Sequence, residues 1–105
     1  MEIWIDPKGI WYHGSPAAFD VLREGSTVTQ WRALAEAFSH KPGRLGYDDD
    51  GSIVHNGVLP GRLYVIDEPV EIGVDVVQHP RTVMDKNAEW LTCRELKVRL
   101  ITELG

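Results

Sequence analysis

The segment from Glu95 to Leu104 constrains the fold more than any other part of this chain. Leu96, Val98, Leu100, Thr102 and Leu104 alternate with Glu95, Lys97, Arg99 and Glu103, so an extended backbone turns one row to a core and a charged row to water. Ile101 is the one apolar residue on the charged row. A strand with one wet face calls for antiparallel neighbours that share its covered face. Leu63–Asp67 supplies one candidate, rich in aromatic and β-branched residues between Gly61 and Pro69. Val70 to Val77 supplies another, with Ile72, Val74 and Val76 alternating against Glu71, Gly73 and Asp75 before His79-Pro80 stops it. Glu89-Trp90-Leu91-Thr92 opens the last extended region, and Ile10 to Pro16 reads as an early strand. Shorter strands are expected in residues 1–6, through Ile3 and Ile5 ahead of an Asp6-Pro7-Lys8-Gly9 turn, and around Ile53 and Val54.

Helical signals are fewer. Ser15 can cap a short helical segment with Pro16 at its first position, Phe19 and Leu22 three apart, and Gly25 closing it. Thr27-Val28-Thr29-Gln30 has the form of a capping box. Trp31, Leu34, Ala35 and Phe38 follow at helical spacing, which predicts a helix over Thr29 to Phe38 with that stripe on the core. Pro42 ends it. Residues 43–61 hold five of the ten glycines and read as a long loop. Its run Asp48-Asp49-Asp50-Gly51 fails as a calcium loop, since Gly46 and Gly57 would fall on the first and last ligand positions. The sum is an α+β domain on a mostly antiparallel sheet with one main helix.

At 105 residues the chain reads as a single domain, 1–105, with one hydrophobic core. No apolar run approaches the roughly 20 residues that span a bilayer, and Glu2 stands where an export signal carries positive charge, so a cytoplasmic protein without membrane contact is expected. The net charge of −5 disfavours nonspecific binding to nucleic acid. Cys93, the single cysteine, has no partner for an internal disulfide.

The chemistry-bearing stretch is Trp11-Tyr12-His13-Gly14-Ser15. Strand alternation puts Trp11, His13 and Ser15 on one face and Ile10, Tyr12 and Gly14 on the other, so the histidine stands beside an aromatic ring and a hydroxyl, a setting able to hold a ribose or a planar ring. The alternative is a histidine satisfied at a strand end. His13, His40, His55 and His79 lack metal-ligand spacing, and neither a nucleophile elbow nor a phosphate-binding glycine loop occurs.

The order of four segments carries a resemblance: Tyr12-His13-Gly14-Ser15, then Ala37-Phe38-Ser39-His40-Lys41-Pro42, then Gly61-Arg62-Leu63-Tyr64-Val65, then Glu89-Trp90-Leu91-Thr92. In that order the chain resembles the small ADP-ribosyltransferases of the diphtheria-toxin and poly-ADP-ribose polymerase group. The nearest likeness is to the rifamycin-inactivating enzymes, in Gly61-Arg62-Leu63-Tyr64 and Arg94-Glu95-Leu96. The resemblance implies a split sheet and NAD as substrate, with release of nicotinamide and ADP-ribosyl transfer to an acceptor, a small molecule or a protein. It implies that His13 bonds a ribose hydroxyl and that the Gly14 backbone clamps the nicotinamide amide. Ser15 would support that loop, Tyr12 would belong to the same NAD-binding segment, and Phe38, Ser39 and Lys41 would supply the second part of the site, with Phe38 stacking and Lys41 or Arg44 meeting the pyrophosphate. Cleaving the bond between ribose and nicotinamide makes an oxocarbenium-like sugar that a carboxylate stabilises. Likeness to the rifamycin enzymes favours Asp75 for that carboxylate, and likeness to the toxin-like enzymes favours Glu89. The second motif departs from the family, which places a tyrosine on a strand ahead of a helix. That departure leaves open a non-catalytic nucleotide- or protein-binding domain of the same fold. A histidine metal site is a further alternative.

Overall fold

The structure, a computed structural model, describes residues 4–40, 45–47, 53–81 and 87–104, with the backbone alone at 45–47, 54 and 55. The α+β class is found: one helix, two antiparallel sheets and a separate hairpin. In chain order the elements are β1 (Tyr12–Ser15), β2 (Val21–Leu22), β3 (Thr27–Val28), α1 (Arg32–Ser39), β4 (Leu45–Tyr47), β5 (Ile53–His55), β6 (Gly61–Ile66), β7 (Val76–Gln78), β8 (Trp90–Thr92) and β9 (Leu96–Leu104). The four-stranded sheet has the order β1-β6-β9-β2 and the three-stranded sheet β3-β8-β7. Among the described residues one bridge pair, Tyr12 and Thr29, joins their backbones, which exchange hydrogen bonds of 2.7 and 3.0 Å. Beyond it β1 pairs with β6 and β3 with β8, so the two strands part company.

Parting leaves two inner faces that need covering. Trp11, Leu22, Tyr64 and Val98 from the larger sheet and its flank meet Val28, Val76 and Trp90 from the smaller one in a single buried cluster. Trp11 sets the edge of its ring against Trp90 at 5.5 Å and 75°, a geometry that adds about 1 kcal/mol beyond the area buried.

The opposite face of the larger sheet takes α1. Leu34, Ala35, Ala37 and Ser39 are its buried residues, and Leu63 is buried on β6. The helix lies close because two glycines leave notches for it. A Cβ on Gly14 would fall 1.8 Å from the Ala35 carbonyl oxygen, and one on Gly61 2.1 Å from Ser39 Oγ. The predicted helix is thus corrected at its start. The capping box does not form, because Thr27 and Val28 are spent on β3, Thr29 Oγ1 accepts from Trp31 N at 3.0 Å, and Trp31 serves as N-cap without a side-chain hydrogen bond. The stripe shifts as well, with Trp31 and Phe38 only half-buried.

Three other expectations change. The Ser15–Gly25 segment is not helical: Val21 and Leu22 pair with Lys97 and Leu96, and Ser15 Oγ accepts from Ala17 N at 3.1 Å. Val70–Val77 is not one strand, because a turn through Gly73 at φ +89° leaves Val74 exposed; Val76 is fully buried, and Val70 and Ile72 are partly buried against the core. Residues 4–6 form no strand, though the turn after them is present, closed by Gly9 N to the Asp6 carbonyl at 2.9 Å; residues 1–3 lie outside the described residues, as does the acidic run at 48–50. The strand expected near Ile53 is β5, paired with β4.

The alternation of β9 holds up to Leu100. Tyr64 faces Leu100 and Leu63 faces Thr102, so Ile101 has no partner on β6 and forms a bulge. The residue that broke the sequence pattern is the one the ladder skips.

The notch at Gly14 predicts that Gly14→Ala destabilises the fold by about 3 kcal/mol, since its Cβ meets helix backbone that cannot yield. Gly73→Ala, with no atom within 4 Å and only its φ of +89° against it, is expected to cost about 1 kcal/mol. Chemical denaturation of the two variants beside the parent measures both.

Candidate functional site

A cleft of about 680 Å³ opens where β1 and β3 separate. Its walls come from His13, Gly14 and Ser15 of β1, Ala17 and Phe19 of the following loop, Val21 to Thr27 across β2 and its turn, Phe38 of α1, and Glu89 just before β8.

His13 reaches across the split. Its Nδ1 lies 2.6 Å from the Thr27 carbonyl, which can only accept, so Nδ1 carries the proton. Burial holds the imidazole below its ordinary value of 6.5, with the bond to Thr27 acting in the opposite sense but more weakly. Near neutral pH the ring is therefore uncharged, and Nε2, with no protein partner among the described residues, is an acceptor. A ligand hydroxyl suits it; a carbonyl does not. Aromatic rings fix the imidazole from the side, Phe19 at 5.7 Å and Tyr64 at 6.5 Å between centroids.

The wall beside His13 is held by Tyr64. Its ring stacks on Phe19 at 4.6 Å and 14°, its hydroxyl donates to the Ala17 carbonyl at 2.7 Å, and the same oxygen accepts from Phe19 N at 3.4 Å. Arg62 Nη1 also donates to the Pro16 carbonyl. Opposite, the β2–β3 turn is organised by buried Thr92. Thr92 Oγ1 donates to the Arg23 carbonyl at 3.0 Å and accepts from Ser26 N at 3.0 Å, while its carbonyl takes Gly25 N at 2.9 Å. Gly25 completes the turn at φ +81°.

Of the residues expected from the sequence, the cleft gathers His13, Gly14, Ser15, Phe38 and Glu89. The others lie elsewhere. Tyr12 is used in the junction with Thr29. Ser39 is buried, with Oγ donating to the Glu36 carbonyl at 2.5 Å beneath Gly61. Lys41 and Arg44 lie outside the described residues. Asp75 is in the turn before β7, away from the cleft lining, with both oxygens engaged: Oδ1 accepts from Arg94 Nε at 2.7 Å and Oδ2 from Glu71 N at 2.8 Å. Those bonds, the backbone one first, hold its carboxyl below the usual range. Arg94 also meets Glu68 at 2.8 Å, so the trio is an exposed clip between the β6–β7 and β8–β9 connections.

Phe19, Arg23 and Glu24 are cleft residues that sequence reasoning missed. The Arg-Glu-Gly run at Arg23-Glu24-Gly25 was the available signal, a turn with charged residues at its tip. Among the described residues no three His, Cys, Asp or Glu side chains are grouped to hold a metal, and no helix is long and apolar enough to cross a membrane. Comparison of the chain with family models, curated proteins and solved structures gives no significant match.

Because the folded chain holds His13 below its unfolded value, the unfolded chain takes the proton first on acidification. The stability linked to His13 is full above pH 6.5 and is lost as pH falls toward the lower folded pKa. Thermal unfolding between pH 7.5 and 5.5 is expected to show a fall that His13→Gln reduces. The carboxylates of Asp75 and Glu68, also held low, act in a separate window below their own ordinary values of 3.8 and 4.5. Tyr64→Phe removes the two bonds that hold the Phe19 loop and should lower stability by about 1–2 kcal/mol in the same assay.

Proposed function

We propose that this chain is an NAD-dependent ADP-ribosyltransferase whose reaction takes place in the cleft between β1 and β3. The observation that carries the reading is the meeting of His13, on the first strand, with Glu89, at the start of β8, in one cavity, although 75 positions separate them in the sequence. The neutral His13 ring accepts a hydrogen bond from a ribose hydroxyl at Nε2. Gly14 lines the cleft with its backbone, its Cβ position being filled by α1, and Phe38 offers a ring to stack on nicotinamide. Glu89, one of two carboxylates in the described cleft lining, stabilises the positive charge that grows on the ribose as the bond to nicotinamide breaks. The released bond electrons leave with nicotinamide, and the acceptor's nucleophile closes on the anomeric carbon.

Glu89 suits this role better than Asp75 because it lines the cleft and Asp75 does not. The binding-only alternative is kept distinct by its readout, NAD bound without cleavage. Release of nicotinamide from NAD, followed by chromatography, tests the reading. Glu89→Gln is expected to reduce turnover by about 100-fold or more, as the loss of one preorganised charge-stabilising group does elsewhere. His13→Ala should weaken NAD binding, while Asp75→Asn keeps turnover at temperatures where it remains folded. Absence of both nicotinamide release and NAD binding in the parent protein would falsify the proposal.

A further inference from the structure

We infer that Arg23, at the entry to the β2–β3 turn, is the residue that receives the anionic diphosphate of the ligand in this cleft; the inference rests on the NAD reading above. The argument begins with charge. The described lining of the cleft holds Glu24 and Glu89 against a single permanently positive group, Arg23, and His13 is held neutral near pH 7. A dinucleotide brings two further negative charges, so its diphosphate meets a rim of its own sign except at Arg23.

Backbone amides are the usual alternative for an anion, and four of those along the cleft wall are already spent within the protein. Gly25 N and Ser26 N donate to Thr92, Ala17 N to Ser15 Oγ, and Phe19 N to Tyr64. The helix does not help either, since α1 meets the cleft at Phe38, in its last turn, where the exposed partial charge is negative.

Arg23 is both held and available. Its carbonyl accepts from Ser26 Oγ at 2.5 Å and from Thr92 Oγ1 at 3.0 Å, so the backbone that carries the side chain is fixed. The guanidinium has no protein partner among the described residues, whereas Arg32, Arg62 and Arg94 each have a carboxylate. A planar fork of donors matches two phosphate oxygens at once, which a lysine ammonium does not.

Calorimetric titration of the full chain with ADP-ribose, and with adenosine as the uncharged control, tests the assignment. Arg23→Gln is expected to weaken ADP-ribose binding by about 10- to 100-fold. Arg23→Lys should recover part of the loss, adenosine binding should be unaffected, and the parent's ADP-ribose affinity should fall with added salt while that of the variant falls less. Since the Arg23 side chain is exposed and unpaired among the described residues, the variant's thermal unfolding should match the parent's. ADP-ribose affinity within twofold of the parent in Arg23→Gln overturns the assignment and leaves the NAD reading standing if nicotinamide is still released. A loss seen in Lys41→Ala or Arg44→Ala in place of Arg23→Gln overturns it in the same way. Failure of the parent to bind either NAD or ADP-ribose removes both.

Discussion

Two backbone hydrogen bonds between Tyr12 and Thr29 hold the structure's two sheets in one frame. A longer pairing of β1 with β3 would fuse the sheets and close the space between them; no pairing at all would leave only side-chain packing such as Trp11 on Trp90 to set their alignment. One residue pair does neither, and the gap that follows is bridged by the His13 ring on the Thr27 carbonyl. The cleft is thus a by-product of how the sheets are joined, and the histidine that anchors it is also part of the joint. The same side chain therefore links stability to pH and lines the cleft.

Around that joint the cleft is held on two sides by buried hydroxyls. Tyr64 ties down the loop that carries Phe19, and Thr92 ties down the turn that carries Arg23. Each hydroxyl spends its bonds on main-chain atoms of the opposite segment, so the walls are fixed before any ligand arrives, which lowers the ordering cost of binding. The Asp75–Arg94–Glu68 clip does comparable work farther off, where solvent weakens it.

Much of the architecture was legible in the sequence. Alternation announced β9, composition announced β6, and the early strand with His13 stood where expected. What failed had tertiary causes. Thr27-Val28-Thr29-Gln30 fits a capping box, yet the same β-branched residues pair well with Leu91 and Trp90, and that pairing prevailed. Ser15 and Pro16 fit a helix start, but Phe19 gains more by stacking on Tyr64 and Leu22 by pairing with Leu96. Phe38 sits at the right spacing for the core but is only half-buried, because the helix face that meets Gly14 and Gly61 is the one carrying Ala35 and Ser39. Within the site, His13 and Glu89 were visible as candidates, while the separation of Glu89 from Asp75 was not. That choice depends on Arg94, and a pattern of spacings does not reveal which carboxylate an arginine will take.

The bulge at Ile101 also governs how copies of this chain meet one another. Beyond Val98, among the described residues, β9 has a strand on one edge only, so its other edge is open to a stranger's backbone. Two such edges laid antiparallel about Ile101 would set Arg99 opposite Glu103, an attractive match in a regular strand. The skipped residue turns those two side chains to opposite faces of the sheet and bends the ladder between them, so the match is never presented. A residue that breaks the sequence pattern thus removes a charge match that a regular β9 edge would present to a second copy.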